Sequence, residues 1–253
     1  MAELPEPIPA ATLIVMRTVT AGGPPEILMI ERTADMAFAA GALVFPGGRI
    51  DPGDHAAAAH LAPALPDAAA RVAAVRETIE ETGLAPALVP APDPAATAAL
   101  REGVERGEPF GALLAGHGLR LDLEALVPFA RWCPNFRETR RFDTLFYLAQ
   151  APEDVSRAAV QEAEATRLFW ASAGAILAEI DTGRAHAIFP TRRNLERLAR
   201  FASVEEARAD AALHPVRKIT PWVEKRGGRN FVCIPDDAGY PVTAEPLETA
   251  RRR

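Results

Sequence analysis

The stretch Arg76-Glu77-Thr78-Ile79-Glu80-Glu81-Thr82-Gly83-Leu84 constrains this chain more than any other. At about 100° per residue on a helix, Glu77, Glu80 and Glu81 stand at i, i+3 and i+4 and share one face. Val72, Val75 and Ile79 lie on the opposite face, available to a core. Ala70, Ala73 and Ala74 precede the glutamates on their own side, small residues that leave room for something to approach. Three like charges this close repel by roughly a few tenths of a kcal/mol per pair. A hard divalent cation turns that cost into a site, because magnesium takes carboxylate oxygens, usually beside substrate phosphates. Taken alone, the pattern also fits a solvated acidic helix face.

Composition narrows the company such a helix keeps. With 253 residues and 49% hydrophobic content the chain can bury a sizeable core, as one large or two small domains. A net charge of -6 argues against non-specific nucleic-acid binding, so a polyanionic substrate needs a local basic patch. Cys133 and Cys233 are far apart, which excludes a disulfide framework and fits a reducing compartment. His55, His60, His117, His186 and His214 show no i, i+4 pairing and no nearby Cys, against a zinc site. No apolar run reaches transmembrane length and no signal-peptide pattern is present. The expectation is a soluble, cytoplasmic protein with no membrane or nucleic-acid partner. No G-x-S-x-G nucleophile motif occurs.

The elements follow from local pattern. Residues 1–10, with three prolines, read as an extended lead-in. Ala11 to Val19, Ile27 to Ile30 and Ala42 to Phe45 read as strands, the first two as a hairpin about Gly22-Gly23. Pro46-Gly47-Gly48 closes the third, and its glycines permit close backbone approach to a ligand. Gly48 to Asp54 reads as a loop, and residues 55–66 as an Ala-rich surface excursion, within a box insertion taken as 55–67. Asp67 is the expected N-cap of a helix from Ala68 to Thr82, with Gly83 ending it. Residues 95–115 read as helix split by Gly107 and Pro109, within a helical insertion taken as 95–125. Leu126 to Trp132 reads as a strand with Pro128 at an edge or bulge. Phe142 to Ala149 and Leu168 to Trp170 are further strands. Ser172 and Thr191 are expected to cap helices through Glu179 and Phe201, and residues 203–213 continue helical. Arg192 and Arg193, in a first turn, are expected to be exposed. Asn230 to Ile234 is a last strand, and residues 241–253 a polar tail. The irregular alternation implies an α/β or α+β sandwich with the sheet between helical layers, one domain over 11–240.

The Gly48 loop and the Arg76 helix together resemble the Nudix box, G-x5-E-x7-R-E-U-x-E-E-x-G-U. Gly48 is followed by five residues and Asp54; Arg76-Glu77, Glu80-Glu81, Gly83 and Leu84 fill the second half. Asp54 replaces the first Glu and Thr78 the first aliphatic residue. Residues 55–75 number 21 where the box has seven, so about fourteen are inserted. A surface loop grows at small entropic cost, roughly 0.6 kcal/mol per doubling. Arg32, Gly41 and Phe45-Pro46-Gly47-Gly48 are similar to the segment preceding the box in coenzyme A diphosphatases. With Arg141-Phe142-Asp143-Thr144 and the long insertion, the chain looks most like the peroxisomal-type coenzyme A diphosphatase branch. The basic residue often found between that Arg and Gly is missing; Met36, Ala37 and Phe38 stand there.

The resemblance implies a Nudix α/β/α sandwich with a mixed central sheet and additional helices. It implies hydrolysis of a diphosphate in a nucleoside diphosphate linked to another moiety, with Mg²⁺ or Mn²⁺ as cofactor. Coenzyme A or acyl-CoA are the first substrates to expect, and ADP-ribose, NADH or dinucleoside polyphosphates the alternative. A non-catalytic nucleotide-binding module is the third reading. Glu77, Glu80 and Glu81 are the expected metal ligands. Glu77, or Glu162 or Glu164 outside the box, is the expected base, with Asp54 a secondary candidate. Arg76, Glu77 and Glu81 form the catalytic set, Arg76 orienting the glutamates. Arg32, Gly47, Gly48 and Arg141 are substrate-binding candidates, the glycines through backbone N–H groups near phosphate. Arg137, Arg140 and Arg141 form a basic cluster that reads either as a phosphate clamp or as a solvated turn. A homodimer stays open.

Overall fold

Along Ile8–Arg17, β1, alternate side chains enter two different cores, and this divides the molecule into layers. Ala11, Leu13 and Val15 face one cluster; Ile14 and Met16 face the other. The period of two that puts i and i+2 on one face dictates this split. The computed structural model describes residues 5–20, 22–34, 39–135, 141–156, 158–160 and 165–250.

The elements before the acidic helix are β2 (Glu26–Arg32), β3 (Leu43–Val44), β4 (Gly47–Arg49) and α1 (Pro52–Leu61). The acidic helix is α2 (Ala68–Thr82), followed by β5 (Leu88–Val89), α3 (Pro94–Glu105), α4 (Phe110–Gly116) and β6 (Arg120–Leu121). Then come β7 (Val127–Trp132), β8 (Phe142–Gln150), β9 (Ala165–Ser172), α5 (Ala173–Asp181), α6 (Phe189–Leu198) and α7 (Val204–Leu213). The chain closes with β10 (Lys218–Ile219), β11 (Trp222–Arg226), β12 (Arg229–Cys233), β13 (Ala244–Pro246) and α8 (Leu247–Ala250).

The main sheet runs β10-β7-β8-β1-β2-β3, with β4 also on β1 and β9 also on β2. It is mixed, since β8 runs parallel to β1 and β2 antiparallel to it. The β1–β2 ladder is short, holding only Met16↔Ile27 and Arg17↔Glu26. Beyond it the strands part, and the chain from Leu43 to Arg49 enters the gap. It pairs first with β2, at Ile30↔Val44, and after Phe45-Pro46 with β1, at Ala11↔Gly48 and Thr12↔Gly47. The glycine corner is therefore wedged into the centre of the sheet. Helices α1 to α4 cover one face and α5 to α7 the other, the expected sandwich.

Several local expectations change. Residues 52–61 are helix rather than loop and surface excursion. Alanine is the best helix former, Pro52 sits where a first helical residue needs no N–H, and Pro63 and Pro66 follow the helix end. Ala57 and Ala58 pack inward. Ala70, Ala73 and Ala74 are at most 3% exposed. Their small size admits neighbouring helices rather than a ligand. Asp67 makes no cap hydrogen bond; its carboxylate accepts from Arg71 Nε at 3.0 Å and Tyr147 Oη at 3.0 Å, tying α2 to the sheet. Helix α6 starts at Phe189, so Thr191 is buried inside it rather than capping it. Pro128 lies at a bulge in the β7–β8 ladder, and Ser172 Oγ accepts from Ala175 N at 3.3 Å as a cap should.

Candidate active site

Helix α2 lies across β1 and β4 and brings its glutamates to the glycine corner. Gly48 faces Glu77 so closely that a Cβ at Gly48 would stand 2.4 Å from the Glu77 carboxyl carbon. Only glycine admits that approach. Its neighbour Gly47 has φ +153°, and a Cβ there would meet the Ala11 carbonyl oxygen at 2.4 Å. The Gly47 N–H donates to Glu81 Oε2 at 2.9 Å. That N–H thus ties the glycine corner to the acidic helix.

Arg76 organises the rest. Its Nε and Nη2 donate to the two oxygens of Asp54 at 2.8 and 2.9 Å, a bidentate pair. Nη2 also reaches the Arg49 carbonyl at 3.1 Å. Nη1 stands 2.9 Å from Glu77 Oε1 and 3.5 Å from Glu80 Oε2. Asp54 is 1% exposed and also accepts the Asp51 N–H at 2.8 Å. Helix α1 begins by delivering Asp54 under Arg76 and then runs on to Leu61. Thr78, where the box has an aliphatic residue, is fully buried with its hydroxyl donating to the Ala74 carbonyl at 2.7 Å. Gly83 ends α2 in the left-handed region at φ 67°.

Among the described residues the Arg76 guanidinium is ion-paired with Asp54, Glu77 and Glu80. Burial, opposed by Arg76 and helped by the charges of Glu80 and Asp54, pushes the Glu77 carboxyl up to about 7. Among the described residues no three His, Cys, Asp or Glu side chains converge as a ready-made metal cage. The donor set nevertheless suits a hard divalent ion: carboxylate oxygens gathered on one helix face, with the Glu77 carboxyl raised to about 7 so that an ion would compete with a proton there.

Two substrate candidates share a feature. Arg32 Nε and Arg141 Nε are buried with no hydrogen-bond partner among the described residues. Arg141 Nη2 donates to Cys133 Sγ at 3.6 Å. The β1–β8 and β1–β4 ladders place Arg141 at the start of β8 and Arg32 at the end of β2, on either side of the corner. Glu162, Glu164, Arg137, Arg140 and Met36 to Phe38 lie outside the described residues. Arg131, which sequence reasoning did not single out, donates to the Asp143 carboxylate at 2.7 and 2.9 Å, and Lys218 Nζ stands 3.9 Å from it.

No family model matches the chain. Among solved structures it is similar to the Nudix hydrolase from Alicyclobacillus acidocaldarius. Identity is 30%, over 81% of this chain and 96% of that one, with a TM-score of 0.69. The Nudix domain of Shewanella oneidensis NrtR complexed with ADP ribose matches at 15% identity over 78% and 88%, TM-score 0.44. The C. elegans Ap4A hydrolase binary complex matches at 14% over 69% and 86%, TM-score 0.38. The chain belongs to the Nudix hydrolase family, and it is a hydrolase of pyrophosphate bonds. No helix among the described residues is long and apolar enough to cross a membrane.

Proposed function

We propose that this hydrolase splits the diphosphate of a nucleoside diphosphate joined to another moiety, with coenzyme A and its thioesters as substrates and Mg²⁺ or Mn²⁺ as cofactor. The observation that carries the reading is the Glu77 carboxyl set against Gly48 at the end of a helix that also presents Glu80 and Glu81. In this reading Glu77, Glu80 and Glu81 hold the ion, which when bound neutralises phosphate charge and acidifies water. Arg76, fixed by Asp54, orients Glu77 and Glu80 and acts as a positioning residue rather than touching substrate. Gly47, through its N–H, sets the rotamer of Glu81. Arg32 and Arg141 grip phosphate oxygens from the two sides of the corner. Either Glu77 or a carboxylate at Glu162 or Glu164 takes the proton of the attacking water. The Ala159 N–H donates to the Thr82 carbonyl at 3.0 Å, which anchors the chain at the end of α2 shortly before those two glutamates.

The purified protein with Mg²⁺ should be offered coenzyme A, acyl-CoA, ADP-ribose, NADH and diadenosine polyphosphates. Release of 3′,5′-ADP and a phosphopantetheine is the expected result. Cleavage of ADP-ribose or NADH alone would move the substrate to the alternative class. Inertness toward the whole panel at saturating Mg²⁺ and Mn²⁺ would end the reading.

A further inference from the structure

We infer that Cys133 is a positioning residue for diphosphate binding: its thiol aims the Arg141 guanidinium without saturating it, so that the arginine stays ready for phosphate. The inference rests on the reading that gives Arg141 to the diphosphate, and deepens it by naming what holds that arginine in place.

The β7–β8 ladder sets two side-chain pairs next to each other. Arg131 stands opposite Leu145 and Trp132 opposite Thr144, so the register carried one step further sets Cys133 opposite Asp143. Leu145 packs against the core on the α2 face, and alternation puts Arg131, Cys133, Asp143 and Arg141 on that same side. Each β7 residue then reaches diagonally to the β8 residue two positions before its opposite number, a separation that long side chains span. Arg131 meets Asp143 in this way, at 2.7 and 2.9 Å. Cys133 meets Arg141 in the same way, and Arg141 Nη2 donates to its Sγ at 3.6 Å.

The two arginines end in opposite conditions. The Asp143 carboxylate takes both Nε and Nη2 of Arg131 and has Lys218 Nζ at 3.9 Å. It lies two residues from Arg141 on the same side of the strand, yet it is turned to Arg131. Arg141 meets a free cysteine instead, one weak acceptor where a carboxylate offers two strong ones. Its Nε is buried with no hydrogen-bond partner among the described residues. Both ends of the contact are fixed. Cys133 is fully buried, and its N–H donates to the Ile219 carbonyl at 2.8 Å. The Arg141 carbonyl accepts from Ile8 N at 2.8 Å, continuing the β1–β8 pairing. A guanidinium held at backbone and tip, with a donor left over, loses little freedom when phosphate arrives and gains the partner that burial denied it.

Binding and turnover together separate this role from mere packing. The probe is imidodiphosphate, a diphosphate with a P–N–P bridge, titrated calorimetrically with Mg²⁺ into the full chain. Cys133→Ala should weaken its binding roughly 3- to 10-fold, the worth of one hydrogen bond that aims a donor. Cys133→Ser keeps an acceptor and should stay within about twofold of wild type. Cys133→Asp supplies the carboxylate that Arg141 lacks and should weaken binding more than Cys133→Ala does. Arg141→Gln should weaken binding at least as much as Cys133→Ala, and Cys133→Ala added to it should change nothing further. On whichever panel substrate is cleaved, Cys133→Ala should raise KM by the same factor while kcat holds within about twofold. An unchanged Kd in Cys133→Ala, or additive losses in the double variant, would overturn the inference and leave Arg141 on the diphosphate. Wild-type binding in Arg141→Gln would overturn that assignment and the inference with it. Inertness across the substrate panel with the Cys133–Arg141 coupling intact would strike the proposed substrates alone.

Discussion

The two faces of the sheet each hold a knot of charge, and the knots are balanced differently. On the α2 face, Arg76 is shared among Asp54, Glu77 and Glu80, and burial, helped by the charges of Glu80 and Asp54, pushes the Glu77 carboxyl up to about 7. On the α6 face, three arginines are shared among Asp181, Glu196, Asp210 and Glu245. There Arg197 donates to Asp210 at 2.8 Å and to the Phe129 carbonyl at 2.9 Å, and lies 4.0 Å over the Phe129 ring. Arg193 joins Glu245 at 3.0 Å, and Tyr240 bridges Trp132 and Asn194. That knot pins the C-terminal segment to α6 and the sheet. Buried charge that is nearly matched serves architecture; buried charge left over serves chemistry.

The sharpest break of this comparison is to neutralise one acid on the α2 face. Glu80→Gln and Glu81→Gln should each lower kcat by roughly 10³-fold, ~4 kcal/mol of barrier, while thermal unfolding shifts little. Chelation by EDTA should reproduce the loss in the wild type. Full rates in both variants at saturating Mg²⁺ would remove these residues from the site. The α6 face should answer in the opposite way. Arg197→Leu strips the guanidinium from half-buried Asp210, leaving it only His214, and should cost about 3 kcal/mol of stability. The fraction that remains folded, read by denaturant titration alongside active-site-normalised rates, should keep its turnover.

Adjacent glycines repeat the contrast within one turn. Gly47→Ala drives a methyl into the Ala11 backbone and sets a side chain at φ +153°; about 2 kcal/mol of stability should go. Gly48→Ala meets first the carboxyl end of Glu77. Its stability should hold within about 1 kcal/mol, and its kcat should fall about 10-fold or more as Glu77 is displaced. Equal destabilisation by the two would mean that the corner is scaffold only.

Local chemistry made much of this legible. The bounds of α2, its αL glycine, the three glutamates on one side and Val72, Val75 and Ile79 in the core all follow from periodicity and turn residues. What stayed hidden depends on distant partners. Arg193 reads as a surface residue of a helix, but it is 1% exposed because Glu245 comes to it from elsewhere in the chain; Arg197, in the same helix, is equally buried beside Asp210. Helix α1 was masked by its two flanking prolines, although Ala-rich composition was its signal. The outer strand β11 carries five exposed residues and shows no burial alternation to read. That Gly47 donates to Glu81 requires knowing that the corner sits under α2, a relation set by the β1–β4 pairing.

The smallest effect tests the imbalance itself, in protein freed of metal. The Glu77 carboxyl rises from its ordinary 4.5 to about 7 on folding. A carboxyl raised in this way stabilises the fold while protonated. That contribution is complete below about 4.5 and is lost as pH climbs through about 7. Stability of the chelated wild type should therefore fall across this window relative to Glu77→Gln, by at most ~1.4 kcal/mol per pH unit. Other titrating groups are common to both proteins and cancel in the difference. Mg²⁺ should flatten the difference by taking the place of the proton. Parallel curves for the two proteins would show that Arg76 already satisfies Glu77, and the α2 face would then be as balanced as the α6 face.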